Sequence, residues 1–315
     1  MTPSEIYADL KRRGGMADLS ARAKFHLTGE DRVRFLNGQV SNDVRRASDR
    51  ETLHACVMSP KGKMSGDIMV SAGPGLLRLD AEPSLRESLA ARLERYIISD
   101  DVTLQDVTDE TALIHLFGME RPLESLSAFT VSVLRSRRLG VNGFDLVMDR
   151  ETLPKVWESL ARELPVAGDE MLEVLRVEAG VPRWDRELTG DTIPVEAGLD
   201  KTAIDYAKGC YVGQEIISRL KSVGHVNKQL RGFVSREGPL AAGMRLFAAG
   251  GSGREAGWLT SAVYSFGLEK YAALGYLKRG FDQESLTASN PSPEEGGMTA
   301  RLPDVVDVRD LPLIP

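Results

Sequence analysis

The chain has 315 residues, and with 42% hydrophobic and 27% charged residues its composition is that of an ordinary soluble globular protein. This length predicts two or three domains rather than a single hydrophobic core. The formal net charge of −6 argues against non-specific nucleic-acid binding through a global basic field. Cys56 and Cys210 are the only cysteines, which excludes a disulfide framework and suits a reducing compartment.

Targeting and metal-binding signals are not evident in the sequence. No apolar run approaches the length needed to cross a bilayer. The first ten residues include the acidic Glu5 and Asp9 and lack the apolar core of a secretory signal, so we expect a cytoplasmic protein with no membrane partner. The two cysteines and four histidines show no metal-ligand spacing, so we expect no metal site.

The first hundred residues alternate predicted strands with predicted helices. Strands are predicted at 22–27, 53–58, 65–71 and 76–79. The second and third of these flank a Pro- and Gly-containing turn and should form a hairpin. A short helix carrying Phe35 is predicted after a cap at Thr28 or Gly29, and an amphipathic helix is predicted to open at Pro83.

A similar alternation continues to about residue 164, where the clearest strand is 144–148 and the clearest helix is 153–164. These segments favour an α+β class, with two ferredoxin-like or half-barrel units, over a doubly wound parallel sheet. From residue 229 onward, short β-rich pieces separated by glycine-rich turns predict a small β-barrel. The segment 283–299 is rich in Ser, Pro, Glu and Gly and is predicted to be a mobile surface loop.

One octet carries more chemistry than any other segment. It reads Lys208-Gly209-Cys210-Tyr211-Val212-Gly213-Gln214-Glu215 and places five chemically distinct side chains around two glycines. Gly209 and Gly213 allow a close backbone approach or a positive φ. The residues after Gly213 predict the first turn of a helix, whose free N–H groups favour an anion or a thiolate at the turn. The octet therefore predicts a functional site.

Each side chain of the octet has both a functional and a structural interpretation. Cys210 is either a nucleophile, activated by the helix start and by Lys208, or a small buried hydrophobe. Lys208 is otherwise an exposed loop lysine. Tyr211 suits stacking on a flat ligand but equally suits the core. Gln214 and Glu215 either cap the helix or, in the case of Gln214, face a ligand.

The octet resembles the signature of the YgfZ-type folate-binding proteins, which are relatives of the glycine-cleavage T-protein, an aminomethyltransferase. Other segments resemble further motifs of that family in the same order along the chain. They are 27–32, Phe35-Leu36, 41–44, 175–182, 193–199, 257–261 and 273–276. The resemblance spans most of the chain, and the octet is its most specific part.

The resemblance implies a three-domain, T-protein-like architecture, with two α/β units and a small C-terminal β-barrel around a central folate cavity. We expect a folate-binding domain interleaved from 1–50 and about 100–228, a strand–helix portion at about 51–100, and the barrel at 229–315. The implied cofactor is tetrahydrofolate or a one-carbon-substituted folate.

The resemblance also implies roles for individual residues. Glu196 matches the glutamate that binds the pterin in T-proteins, where a carboxylate accepts two adjacent N–H donors. Cys210 and Lys208 are the implied catalytic residues, and Lys208 either activates the thiol or meets the glutamate tail of the folate. The predicted folate-binding residues are Glu196, Tyr211, Gln214, Arg219 and Asp67. Arg219 is equally placed for an ordinary helix ion pair with Glu215.

One departure from the family concerns catalysis. T-protein enzymes carry a paired aspartate in the first domain, whereas the matching positions here are Gly66 and Asp67. The two-carboxylate arrangement is incomplete, which argues against classical aminomethyl transfer. The leading hypothesis is a folate-binding accessory protein that supports assembly or repair of iron–sulfur clusters in client enzymes, including radical enzymes that modify tRNA. The alternatives are a folate-dependent aminomethyl- or methyltransferase and a non-catalytic docking module.

Overall fold

The chain is described by a computed structural model that covers residues 1–248, 254–281, 286–289 and 304–314. It divides into two compact units. The first comprises Met1–Gly168, Thr189–Pro194 and Leu199–Gly224, and the second comprises Asp169–Leu188, Val195–Gly198 and His225–Pro315. Within the described ranges, no helix is long and apolar enough to cross a membrane.

Helices and strands alternate along most of the described chain. They are α1 (Pro3–Arg13), β1 (Gly15–Asp18), β2 (Ala23–Thr28), α2 (Arg32–Gln39), β3 (Leu53–Met58), β4 (Met64–Gly73), β5 (Leu76–Ala81), α3 (Arg86–Glu94), β6 (Thr103–Asp106), β7 (Thr111–Phe117), β8 (Ser132–Ser136), β9 (Gly143–Asp149), α4 (Leu153–Ala161), α5 (Asp169–Glu178), α6 (Gln214–Val223), β10 (Lys228–Ser235), β11 (Arg245–Ala248), β12 (Glu255–Ser265), β13 (Lys270–Lys278), β14 (Leu286–Ser289) and β15 (Asp304–Arg309).

The first unit contains two antiparallel sheets. One has the strand order β3-β4-β5-β2-β6, and its β3–β4 hairpin was predicted from the sequence. The other has the order β1-β7-β9-β8 and packs Ile114 and Leu146 against Val156 and Leu160 of α4. Helix α4 has the three-to-four-residue apolar spacing that buries one face.

The second unit is built on a closed antiparallel barrel with the order β10-β13-β12-β11-β14-β15. Phe233, Leu246 and Leu286 are buried in its core. Val177 of α5 packs with Leu274 in a separate buried cluster. The predicted α+β class and the C-terminal barrel are confirmed.

Several predicted boundaries were wrong. Helix α2 begins after Asp31 rather than at Thr28 or Gly29, because Gly29 is held at φ +99° where a side chain would collide with the backbone of Asp101. The helix predicted at 153–164 ends at Ala161. Of the predicted loop 283–299, Leu286–Ser289 form a strand, and the remainder lies outside the described residues.

Candidate functional site

The octet turns sharply into α6 at Gly213. This residue has φ +85°, and a Cβ on it would lie 2.7 Å from the carbonyl oxygen of Ser59. Only glycine meets both demands without strain, and the predicted helix begins at the next residue. At Gly209 the backbone φ is not positive and a Cβ would meet no protein atom within 4 Å, so a close approach of a ligand to this glycine stays a prediction.

Lys208 is a buried residue that anchors a neighbouring loop. It is 5% exposed, and its Nζ donates to the carbonyl oxygens of Asn37 and Val40 at 2.6 Å each and of Asn42 at 2.8 Å. An ammonium group has three donors, so none is left over for a thiolate or a ligand carboxylate. Burial lowers the pKa of Lys208 to about 8, an effect that the nearby carboxylate of Asp43 opposes.

The residues beside Lys208 divide between the core and the surface. The Tyr211 ring centroid lies 4.9 Å from Lys208 Nζ, a cation–π arrangement, and burial raises the pKa of Tyr211 to about 12. Cys210, by contrast, is exposed. Gln214 is half-buried in the first helical turn, and the exposed Arg219 makes no ion pair with Glu215 within the described chain. The motif therefore places Cys210 at the surface between the buried residues Lys208 and Tyr211.

The loop held by Lys208 contains a polar clamp, Ser41-Asn42, that sequence reasoning did not assign a role. Ser41 Oγ donates to the carbonyl of Ala203 at 2.6 Å and accepts from the backbone N–H of Cys56 at 2.8 Å. Asn42 Nδ2 donates to the carbonyl of His54 at 2.9 Å and lies 3.4 Å from the carbonyl of Thr202. The clamp thus ties strand β3 to the segment that precedes the octet.

Asp67 is engaged with a histidine that sequence reasoning also missed. Asp67 Oδ1 lies 2.6 Å from His54 Nε2, and His54 Nδ1 lies 3.3 Å from the hydroxyl of Thr202. The side chains of His54 and Asp67 are 19% and 17% exposed, so solvent reaches both. The predicted hairpin gave a signal for the first contact, since residues of paired strands that share a face lie close together.

The structure shows what surrounds position 66, where T-protein enzymes carry the second aspartate. Successive residues of a strand point to opposite faces of a sheet. A Cβ on Gly66 would lie 3.3 Å from Leu89 Cδ1 and 3.6 Å from Val57 Cβ, in the apolar layer under α3. The residue paired with Asp67 across the strands is Cys56, which is fully buried. Burial raises the pKa of the Cys56 thiol well above its ordinary value.

Glu196 belongs to the second unit. It is 5% exposed, and its Oε2 lies 3.6 Å from Nζ of Lys228. The same ammonium lies 4.7 Å from the ring centroid of Tyr276 and 5.2 Å from that of Trp258. The predicted pterin-binding carboxylate therefore sits beside a cation and two aromatic rings.

The 175–182 segment has a structural role in the second unit. Arg176 is buried and donates to Glu187 Oε2 at 2.8 Å and to Ser261 Oγ at 2.7 Å. Glu178 accepts a 2.6 Å hydrogen bond from Ser265. These bonds tie α5 to β12. Among the residues that the structure covers, no three His, Cys, Asp or Glu side chains are grouped as metal ligands.

Comparison with known proteins gives a consistent family likeness. No family model matches the chain. An aminomethyltransferase of Rubrobacter xylanophilus is 27% identical over 297 residues, which are 85% of this chain and 77% of the relative. The tRNA-modifying protein YgfZ of Klebsiella pneumoniae is 29% identical over 213 residues, which are 63% of this chain and 64% of the relative. A crystal structure of aminomethyltransferase T of the glycine cleavage system from Bartonella henselae, 17% identical, matches with a TM-score of 0.82 over 100% of this chain and 91% of that one.

The chain is similar in sequence both to YgfZ proteins and to aminomethyltransferases. The structural match shows that the chain has the T-protein fold, as its sequence resemblance implied. The YgfZ relatives match over about two thirds of their own length, 64% in the Klebsiella protein and 69% in one from Escherichia coli.

Proposed function

We propose that this protein binds tetrahydrofolate, or a one-carbon-substituted folate, and supports assembly or repair of iron–sulfur clusters in client enzymes of the cytoplasm, including enzymes that modify tRNA, as a protein of the YgfZ type. The observation that carries the proposal is the exposed thiol of Cys210 on a turn whose neighbours Lys208 and Tyr211 are buried and hydrogen-bonded or stacked. An exposed cysteine is open to chemistry, whereas a buried one is inert. The name of the YgfZ relatives, tRNA-modifying protein, supports the same role.

The folate part of the proposal rests on Glu196 and on the fold. A nearly buried carboxylate accepts the paired N–H donors of a pterin edge more strongly than an exposed one. Glu196 meets this condition, and the half-buried Trp258 near Lys228 offers a flat surface in the same unit. Aromatic faces of this kind stack on heterocyclic ligands.

The direct test is a calorimetric titration of the full chain with tetrahydrofolate. Binding in the micromolar range is expected for the wild type and for Cys210→Ala, and a loss of at least tenfold in affinity for Glu196→Ala. Glu237→Ala is the matched control, because Glu237 is exposed in the same unit. Absence of binding to the wild type would overturn the folate assignment and favour a docking module.

The client role is tested by complementation. In cells that lack this protein, Cys210→Ala is expected to fail to restore the activity of an iron–sulfur enzyme, while the variant remains folded. Cys56→Ala is the control, because it removes the other, buried thiol and should still rescue. Full rescue by Cys210→Ala would exclude the thiol role.

A folate-dependent aminomethyltransferase is the second candidate. It is favoured by the relatives named aminomethyltransferase, which match over 85% or more of this chain against 63% for the Klebsiella YgfZ protein. Formation of methylenetetrahydrofolate from a small amine donor by the purified protein would support this candidate. A folate-binding protein that forms no such product would support the accessory role.

A further inference from the structure

A polar cavity lies between the two sheets of the first unit. Its volume, counted with its open mouth, is about 390 Å³, which is near the small end of the range for ligand pockets. The charged side chains that line it are Lys24, His26, Arg78, Arg138, Asp80 and Asp145. The charge of the cavity therefore depends on which of these basic groups the two carboxylates neutralise.

Both carboxylates are engaged in one ion-pair network. Asp80 contacts Nε of Arg22 at 2.6 Å and the guanidinium of Arg138 at 2.7 Å. Asp145 contacts the same guanidinium at 2.8 Å and Nδ1 of His115 at 2.8 Å. In the described part of the chain, the other three basic groups of the cavity have no carboxylate within ion-pair distance.

These three groups, Lys24, His26 and Arg78, also keep unused hydrogen-bond donors. Lys24 is 4% exposed, and its Nζ donates to two backbone carbonyls at 2.7 and 2.8 Å, although an ammonium group has three donors. Arg78 donates to the carbonyl of Ala72 at 2.7 Å and to the hydroxyl of Ser132 at 3.3 Å, which engages two of the five N–H donors of a guanidinium. The His26 ring makes no hydrogen bond to any residue that the structure describes.

The strand register places two of these groups in one row with a buried hydroxyl. Ser71 of β4 pairs with Arg78 of β5, and Arg78 pairs with His26 of β2. Side chains of directly paired residues share a face of the sheet and lie close together. Ser71 is 4% exposed, and its hydroxyl has no hydrogen-bond partner among the described residues. The row thus offers a hydroxyl, a guanidinium and an imidazole to one small polar group.

The pKa values in the cavity reflect a positive charge that is not neutralised. Burial lowers the pKa of Lys24 to about 8. Burial, followed by the charge of Arg78, lowers the pKa of His26, and Glu110 opposes this effect. Burial also lowers the pKa of Arg78, which Asp49 opposes. An anion in the cavity would oppose all three shifts, because an opposite charge favours the charged form of each group.

The opposite side of the cavity is an apolar wall formed by Leu113 of β7, Leu134 of β8 and Val147 of β9. Leu113 and Val147 are paired across the second sheet. Val147 also pairs with Ser132, whose hydroxyl accepts a hydrogen bond from Arg78. The apolar wall therefore begins beside the guanidinium. A ligand with an oxyanion at one end and a short hydrocarbon chain at the other matches both sides of the cavity.

We propose that this cavity binds a small aliphatic carboxylate, whose carboxylate group is held by Arg78, His26 and Ser71 and whose hydrocarbon chain lies against the apolar wall. Arg78 provides charge-assisted hydrogen bonds, which are stronger than those between neutral groups. Lys24, two residues before His26 on the same face of β2, adds a second positive charge. The site belongs to the first unit and takes a ligand other than folate, so it does not depend on Glu196.

The test is an NMR titration of the full chain with butyrate. Because the chain has four histidines, the His26 signals are assigned by their absence in His26→Gln. We expect saturable binding with a Kd on the order of 1 mM, as suits a ligand of few atoms. Saturation should raise the pKa of His26 by about one unit, because the bound carboxylate favours the imidazolium. His26 signals that do not respond to butyrate up to about 20 mM would overturn the site.

Two variants test the residues that hold the carboxylate. Arg78→Met should weaken butyrate binding by about tenfold or more, and Ser71→Ala by about threefold, because the first removes a charged donor and the second a neutral one. Arg121→Met, which replaces an exposed arginine of the same unit, is the matched control and should stay within about twofold of the wild type. Equal affinities of folded Arg78→Met and Arg121→Met would contradict the assignment. If Arg78→Met does not fold, an unchanged affinity of Ser71→Ala would do so.

Acetate and phosphate test the apolar wall. Acetate carries the same charge on a shorter chain and should bind about three- to tenfold more weakly than butyrate. Phosphate has no hydrocarbon and should also bind more weakly, so tighter binding of phosphate than of butyrate would overturn the carboxylate assignment.

Glu196→Ala separates this site from the proposed function. This variant tests the folate assignment, and it should bind butyrate as the wild type does, so the two proposals can fail independently. Loss of butyrate binding in a folded Glu196→Ala would contradict a site that belongs to the first unit alone.

Discussion

Replacement of Lys208 by methionine tests the anchoring role of the octet most directly. Methionine preserves most of the length and apolar character of the side chain but removes the ammonium group. Three backbone carbonyls, those of Asn37, Val40 and Asn42, then lose their donor. We expect the loop that carries the Ser41-Asn42 clamp to open more easily.

The size of the effect follows from these three bonds. A buried carbonyl left without its donor costs about 1–3 kcal/mol, so three carbonyls cost about 3–9 kcal/mol. The variant also avoids the cost of desolvating an ammonium group, which is several kcal/mol and offsets part of the cost of the three carbonyls. The net loss in the free energy of unfolding of the first unit should be about 2–4 kcal/mol, which is large for a single substitution.

The assay is hydrogen exchange of the peptide that spans 37–44, together with urea unfolding of the full chain. Faster exchange should be confined to this peptide and its partners at low urea concentration. Lys221→Met is the control, because the Lys221 side chain is exposed and lies over the Tyr206 ring. If Lys208→Met differs from this control by less than about 0.5 kcal/mol, the anchoring role is refuted.

Three further predictions concern the two units separately. Gly213→Ala should destabilise the first unit by about 1–3 kcal/mol in urea unfolding, because alanine is strained at φ +85°. Arg176→Met should cost the second unit about 3–5 kcal/mol in the same assay, since the buried Glu187 would lose its 2.8 Å ion pair with Arg176. Burial raises the pKa of Asp145, but the Arg138 guanidinium more than offsets this and holds that pKa below its usual range. This carboxylate therefore contributes stability above about pH 4, which should be lost as the pH falls further.

Each of these predictions has a matched comparison. Gly209→Ala should be near neutral, and equal stability of the two glycine variants would contradict the φ argument. Arg236→Met removes an exposed ion pair of the second unit. If Arg176→Met lowers the free energy of unfolding no more than Arg236→Met does, the argument from the burial of the Arg176–Glu187 pair is contradicted. Unfolding free energies that stay flat from about pH 6 to about pH 2 in the wild type, or that fall equally in Arg138→Met, would contradict the Asp145 argument.

The sequence predicted the elements whose signals are local. Turn residues, alternating apolar positions and the glycine before a helix act over a few neighbours, so the β3–β4 hairpin and the start of α6 followed from them. Boundaries were less accurate, because contacts distant in sequence decide them. The close approach of Gly29 to Asp101 is one such contact.

The role of Lys208 was not predictable from the residues alone. Its three acceptors are backbone carbonyls 166 to 171 residues away in the sequence. Every residue has a carbonyl, so such partners leave no pattern in side-chain types. Thr202 was missed for a similar reason, since it meets His54 from 148 residues away. The sequence also left open whether Cys210 is buried or exposed, and the structure shows that it is exposed.

Because β4 is pleated, two residues that are adjacent in its sequence point to opposite faces of the sheet. Positions 66 and 67 are adjacent in sequence, yet one meets the apolar layer at Leu89 and the other meets His54. An engineer who wrote Gly66→Asp to copy an acidic pair would bury a lone carboxylate against hydrocarbon, and the protein would be weakened without gaining a second acid beside Asp67. A partner for Asp67 has to be sought across the hairpin, at the position of Cys56.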